Sequence, residues 1–330
     1  MQRRTSLMAV VFALFVLLAG ASSGLAQAVT CTECHDDTTV ITGKQFAWEE
    51  SLHATGHSAA YAGGRSSCTA CHSGASFSAM VAAGQKPNEV TNVTDITRQD
   101  CRACHQIHTT YTAADWALET TAPVALYAFE GVTYDGGTGN LCANCHQPRR
   151  TITGYVDDVN GVTNVSSSHW GPHHGPQSAV LLGVGGAGDV TGTPSAHAML
   201  VGDTCVTCHL GTDDGHTFEP VMSACVVCHS DATNFDIGGL QTEVAALIEQ
   251  LRDLLLAKGL LAAETEYEIG ENGVIEGVVV GYHPVKGFYP SAEAAALWNY
   301  ILLDYEDSSL GVHNPRYTKD LLNASIAALQ

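Results

Sequence analysis

Cys205-Val206-Thr207-Cys208-His209 and, beginning sixteen residues after its histidine, Cys225-Val226-Val227-Cys228-His229 are two copies of one pattern, Cys-x-x-Cys-His. Four more precede them: Cys31/Cys34/His35, Cys68/Cys71/His72, Cys101/Cys104/His105 and Cys142/Cys145/His146. Together the six copies use all twelve cysteines of the 330-residue chain. Positions i, i+3 and i+4 share one face of a helical turn, so two thiols and an imidazole can meet one planar group. This is the attachment signature of a c-type haem, in which the thiols form thioethers and the histidine becomes the proximal iron ligand. The pattern predicts six haem c groups.

Other metals and linkages explain less. Histidine is 16 of 330 residues, so finding it after all six pairs by chance is on the order of 10⁻⁸. Zinc accepts Cys-x-x-Cys pairs but does not need a histidine fused to each. A disulfide framework fits the even cysteine count and leaves the histidines unexplained.

The N-terminus reads as a secretory signal over residues 1–28. Arg3 and Arg4 form a charged start, Leu7 to Leu18 is apolar, and Ala26-Gln27-Ala28 is a cleavage site. The apolar run is too short and wrongly flanked for a membrane anchor, and no cysteine follows the cleavage site for lipid attachment. Export suits the motifs, because c-type haems are assembled outside the cytoplasm. Losing Arg3 and Arg4 takes the formal charge from −20 to −22. Such a field disfavours nucleic acid and anionic lipid and favours basic partners.

The expected architecture is mainly α with extensive loop. The mature chain supplies only about 50 residues per haem, and aromatic residues are 7% of the whole. Steps of 33, 29, 37, 59 and 16 residues between motifs argue against a solenoid and for a chain wrapped around a haem array. Residues 29–236 form the hexahaem region. After Asp236 the composition changes, and 237–330 is expected to be a helical region with a small β-hairpin, packed on the haem region. A helix is predicted from Leu240 to Lys258, stopped at Gly259. Asn272-Gly273 marks a tight hairpin turn. A helix with Ser291 as N-cap runs through Leu297, Trp298 and Ile301. A last helix starts at Asn314-Pro315, cap then first-turn proline.

Six motif histidines leave ten others, enough to give every iron a second imidazole. His108, three residues after His105, shares its helical face and can reach a neighbouring haem. His216 lies in the short stretch between the last two motifs, and His197 just precedes the fifth. The stiff turn Gly171-Pro172-His173-His174-Gly175-Pro176 offers His173, with His174 as the alternative. His53 and His57 are alternatives four apart, and His53 is preferred. His313 sits just before the last helix. His169 and His283, the latter in a proline-flanked turn, are read as non-ligands. Gly183-Val184-Gly185-Gly186-Ala187-Gly188 fits a nucleotide-binding glycine pattern, but Asp189 to Pro194 cannot continue as the required helix, and a flexible loop is the better reading. Asn92-Val-Thr and Asn164-Val-Ser match glycosylation sequons of low specificity.

On the motifs from Cys31 to His229, and on Gly311-Val312-His313-Asn314-Pro315, the chain resembles the multihaem c-type cytochromes of bacterial and archaeal respiration. That resemblance implies electron relay through closely stacked haems in the periplasm or at the cell surface. It implies other redox proteins as partners, basic cytochromes or an inner-membrane quinol oxidase among them, and in some members self-assembly into filaments. Stable membrane insertion is not expected. The chain is expected to be a carrier with six bis-histidine irons and not an enzyme. The alternative is a reductase of a nitrogen or sulfur oxyanion with one open iron. Some reductases of this group carry Cys-x-x-Cys-Lys, which does not occur here, and the acidic surface opposes an anion unless a basic pocket near Arg149 and Arg150 offsets it.

Overall fold

The computed structural model describes residues 39–91, 95–157, 160–173, 175–211, 215–269 and 275–330. The signal segment, His174, the Asn92 sequon and the Asn272-Gly273 turn lie outside the described residues. So does the whole first motif, Cys31, Cys34 and His35. The chain divides into two units, Met1–Thr42 and Gly43–Gln330. Of the first, only residues 39–42 are described, as the opening of helix Thr39–Glu49. The second unit holds the other five motifs.

Helices predominate, most of them one or two turns long before residue 236. Strands are few. β1 (Val124–Ala125) pairs with β2 (Thr133–Tyr134), β3 (Val162–Val165) with β6 (Gly287–Pro290), and β4 (Leu261–Ile269) with β5 (Ile275–Pro284), all antiparallel. The β3–β6 pair joins chain from either side of Asp236.

The long helices lie in the tail, where the sequence is most periodic. Leu240–Ala257 buries Val244, Ile248, Leu251 and Leu255, one stripe at helical spacing. The Asp236 carboxylate accepts from the Gln241 and Thr242 amides at its start (2.8 and 3.1 Å). Gly259, at φ +73°, takes the left-handed stop after Lys258. The β4–β5 hairpin is longer than a small turn-bounded pair, with Ile269 opposite Ile275 and Leu261 opposite Pro284. His283 belongs to β5, opposite Ala262, and not to a turn as its neighbouring proline suggested.

Ser291 is the first residue of helix Ser291–Tyr300 and not its cap. Its hydroxyl is spent on Thr163 Oγ1 and the Asp157 carbonyl. The helix widens into a π-turn over Ile301–Asp307. In the last helix, Pro315–Leu329, Asn314 caps as expected, accepting from the Tyr317 amide.

These three helices and the 150–190 segment share the largest core. Trp170 and Trp298 meet edge to face at 5.5 Å, with Tyr155 5.5 Å from Trp298. The glycine-rich loop beside them is held, not flexible. Trp298 Nε1 donates to the Gly185 carbonyl (2.8 Å), the Gly186 amide to the Tyr317 hydroxyl (2.8 Å), and buried Asn299 bonds both the amide and the carbonyl of Ala187. A Cβ on Gly186 would collide with the Leu321 methyls, so the glycine serves close packing. Trp298→Ala empties the centre of this core and deletes the indole donor. It is expected to destabilise the folded protein by about 3–5 kcal/mol, read by denaturant titration.

Candidate functional site

Each described motif closes one helical turn on itself. The histidine amide donates to the carbonyl of the first cysteine at His72 (3.1 Å), His105 (2.9 Å), His146 (2.8 Å) and His229 (2.9 Å). The fifth lies within helix Thr204–His209. None of the ten described cysteines is bridged. Cys31 and Cys34 are the other two, and with His35 they rest on the sequence pattern alone. Among the described residues no three His, Cys, Asp or Glu side chains converge as a cage for a metal such as zinc.

Four motif histidines face a second histidine. His146 stands 6.2 Å from His53, His72 6.3 Å from His173, His229 6.4 Å from His197 and His105 6.5 Å from His216, centroid to centroid. The interplanar angles are 76°, 68°, 74° and 22°. An imidazole nitrogen about 2.0 Å from a metal, plus about 1.1 Å from nitrogen to ring centre, puts two trans rings about 6.2 Å apart. The four observed separations lie within a few tenths of an ångström of that value.

The second ring nitrogen, Nδ1, is engaged at four of the motif and facing histidines. Nδ1 of His105 bonds the Trp116 carbonyl (2.7 Å), that of His209 the Phe218 carbonyl (2.8 Å) and that of His197 the Val312 carbonyl (2.7 Å). His146 Nδ1 meets Gln177 Oε1 at 3.1 Å, and Gln177 is turned that way because its amide donates to the Glu306 carbonyl. Such bonds fix the tautomer, leaving Nε2 as the donor to a metal. The residues therefore fit haem iron.

His313 is held by Asp307, Nδ1 to Oδ1 at 2.7 Å. Burial disfavours the His313 charge, but Asp307 overcomes it and raises the pKa, with a further contribution from Cys205 of the fifth motif. His53 is pulled down to about 4, first by burial and then by His146, which favours the neutral imidazole. His216 is lowered by burial, Lys44 and His105.

His108 stacks on Tyr111 at 5.3 Å, and no described motif histidine faces it. His57 is exposed at the start of helix Ser58–Ala62. His169 is exposed, its carbonyl accepting from Arg150.

The motifs themselves are close. Cys71 and Cys145 lie close enough to perturb each other's thiols, as do Cys142 and Cys205. Cys104 is pushed up to about 12, mainly by burial. Cys142 and Cys145 both feel Cys104, and Cys208 feels Cys225. The fourth motif thus neighbours the second, third and fifth. A cleft of about 510 Å³ lined by Ser67, Asn88, Tyr127, Arg149 and Arg150 opens beside the second motif, with Arg149 Nη1 3.5 Å from Cys68 Sγ.

Sequence reading missed the partners that hold the imidazoles. Three are backbone carbonyls, which carry no side-chain signal. Asp307 and Gln177 were visible only as ordinary polar residues.

No family model and no solved structure matches the chain. It is similar to the C-type polyheme cytochrome OmcB of Geobacter sulfurreducens, from strain DL-1 / KN400 and from strain ATCC 51573 / DSM 12127 / PCA. Identity is 23% over 352 aligned positions, covering 85% of this chain and 43% of each relative. The chain thus spans less than half the length of the curated relatives it matches. Among the described residues no helix is long and apolar enough to cross a membrane.

Proposed function

We propose that this chain is an exported hexahaem cytochrome c that carries electrons between redox partners in the periplasm or at the cell surface. The carrying observation is the set of four histidine pairs at one separation, each containing a motif histidine. The similarity to a polyheme cytochrome supports electron transfer in general. Bound haem would supply an iron that alternates between Fe(III) and Fe(II).

The chain's residues do the rest. The twelve motif cysteines hold the porphyrins, Cys31 and Cys34 the first of them. His35, His72, His105, His146, His209 and His229 supply one axial imidazole each. His173, His216, His53 and His197 supply the second at the second, third, fourth and sixth motifs. His313, near Cys205, is assigned to the fifth, and His108 is proposed as a further axial ligand. Arg149 and Arg150, lining the cleft beside the second motif, would supply cations to haem carboxylates. Exposed apolar side chains beside the ligands (Leu52 85%, Leu200 80%, Val227 81%) offer surface for a porphyrin to cover. Cysteine proximities support a continuous relay from the second motif through the fourth and fifth to the sixth, with the third branching at the fourth. The region 237–330 is proposed to pack on the haem region as part of one fold. Basic cytochromes, a quinol oxidase or further copies of this chain in a filament are the partners proposed.

Two measurements on the purified, exported protein test this. Intact mass is expected to exceed the polypeptide by six haems. Electron paramagnetic resonance of the oxidised protein is expected to show only low-spin iron. Crossed imidazoles leave two iron d orbitals nearly degenerate, so three pairs should give strongly anisotropic signals. The 22° pair should give an ordinary rhombic one. Fewer haems, or a stoichiometric high-spin iron, would reject this reading. The Arg149–Arg150 cleft is the one feature favouring an oxyanion reductase. That alternative requires nitrite or sulfite to perturb an iron spectrum, whereas His173 facing His72 predicts no change.

A further inference from the structure

Phe218 stands where three of the candidate centres meet. Its ring lies 4.6 Å from that of His53, edge to face at 81°, and 6.1 Å from that of His216 at 58°. Its carbonyl accepts from Nδ1 of His209 at 2.8 Å. One residue thus touches the second histidine of the fourth motif and that of the third, and anchors the motif histidine of the fifth. The fourth of those motifs neighbours both the third, through Cys104, and the fifth, through Cys142 and Cys205.

We propose that Phe218 is a positioning residue that sets the imidazole planes of His53 and His216 and the orientation of His209. The inference rests on reading those three histidines as iron ligands.

The physical need is specific. Rotation of an imidazole about Cβ–Cγ is broad and weakly directed, so a ring plane is set by its neighbours and not by rotamer preference. A hydrogen bond at Nδ1 does this for His105, His197 and His209. His216 has none: its Nδ1 is buried and unpartnered among the described residues. An aromatic face and edge are what remains to hold it. The backbone carries the cost. Phe218 adopts φ +62°, a left-handed conformation that a bulky residue rarely takes unless its surroundings demand it. In that conformation the ring reaches His53 and His216 while the carbonyl meets His209.

The test uses the full haem-loaded protein. His53→Ala, His216→Ala, His173→Ala and His197→Ala each open one position and so mark the resonance of one iron. Phe218→Ala is expected to shift the components marked by His53 and His216 and to leave those marked by His173 and His197 in place. Phe218→Tyr, which keeps the ring, is expected to restore both. Should the alanine variant not accumulate, Phe218→Leu is read by the same criteria. A fully loaded Phe218→Ala protein whose spectrum superimposes on the parent overturns the proposal. So does one in which all components shift alike, or a tyrosine variant that fails to restore them. Haem content by intact mass comes first. A parent protein without haem rejects the electron-carrier reading itself, whereas six haems with an unaltered Phe218→Ala spectrum reject only the role of Phe218.

Discussion

Made in a compartment where haem is not attached, the chain is expected to lose ordered structure across residues 43–145 while its tail keeps most of its own. The largest cluster wholly within that stretch is small: Ala70, Phe77, Met80, Val90, Ala103 and Leu141. Two of its six members are alanines, and its helices run to nine residues at most after residue 50. Helices that short do not persist in water without tertiary packing. Porphyrin faces are the apolar surface left to supply it. The tail differs. Its cluster contains Trp170, Trp298, Tyr300 and a run of leucines across three helices of 10 to 18 residues. Hydrogen exchange on the haem-free chain should therefore show amides 43–145 exchanging near unfolded rates and amides 240–257 and 315–329 still protected. Equal protection in both regions would mean that the polypeptide folds without its cofactor, and the wrapped-array picture would fall.

The same contrast explains what could be read from residues alone. The tail helices were legible because they obey local rules. Val244, Ile248, Leu251 and Leu255 repeat at helical spacing, Gly259 stops, and Asn314-Pro315 caps and starts. The motifs were legible because their fixed spacing puts three residues in one turn. Strand pairing was not. β3 meets β6 across more than a hundred residues, and nothing in Val162–Val165 announces its partner. Ser291 looked like a cap, yet tertiary contacts with Thr163 and Asp157 took its hydroxyl. The glycine loop looked mobile because its anchors, Trp298, Asn299 and Tyr317, lie more than a hundred residues away in sequence.

Among the histidines, choosing between His53 and His57 needed geometry, since four-residue spacing puts both on one face of a helix. The structure sets His53 opposite His146 and leaves His57 exposed. Which histidine faces which motif was wholly hidden. His173 faces His72, about a hundred residues back, and His216 faces His105 past two intervening motifs. Such pairings follow from how the chain is threaded, and no local pattern encodes threading.

A chain ending at Asp236 is expected to lose the low-spin signatures of the fifth and sixth motifs and to unfold cooperatively around residues 150–200. The tail supplies most of the large core, leaving Val156, Val165, Trp170, Val180 and Ala187 without their partners. It also supplies β6 to β3, and Asn314 to the carbonyls of Val180 and Thr193 at 3.0 and 2.9 Å. The electronic consequences run through three contacts. His313 and its Asp307 anchor disappear outright. His197 loses the Val312 carbonyl on Nδ1, so its ring is no longer held opposite His229. Gln177 loses the Glu306 carbonyl that turns its Oε1 toward His146. The third motif, whose His105 is held by the Trp116 carbonyl and faces His216, keeps both partners outside the unfolding stretch. Its resonance should change least. Asp307→Asn separates folding from ligation in the full chain. It keeps the side chain's size and the oxygen facing His313 while removing the charge and the acceptor used by Ser309, so the fold should stand while the iron served by His313 shifts in potential as its imidazole loses an ionised acceptor. A chain ending at Asp236 that carries six unperturbed low-spin haems would show that His313 ligates no iron and that the tail is an independent unit.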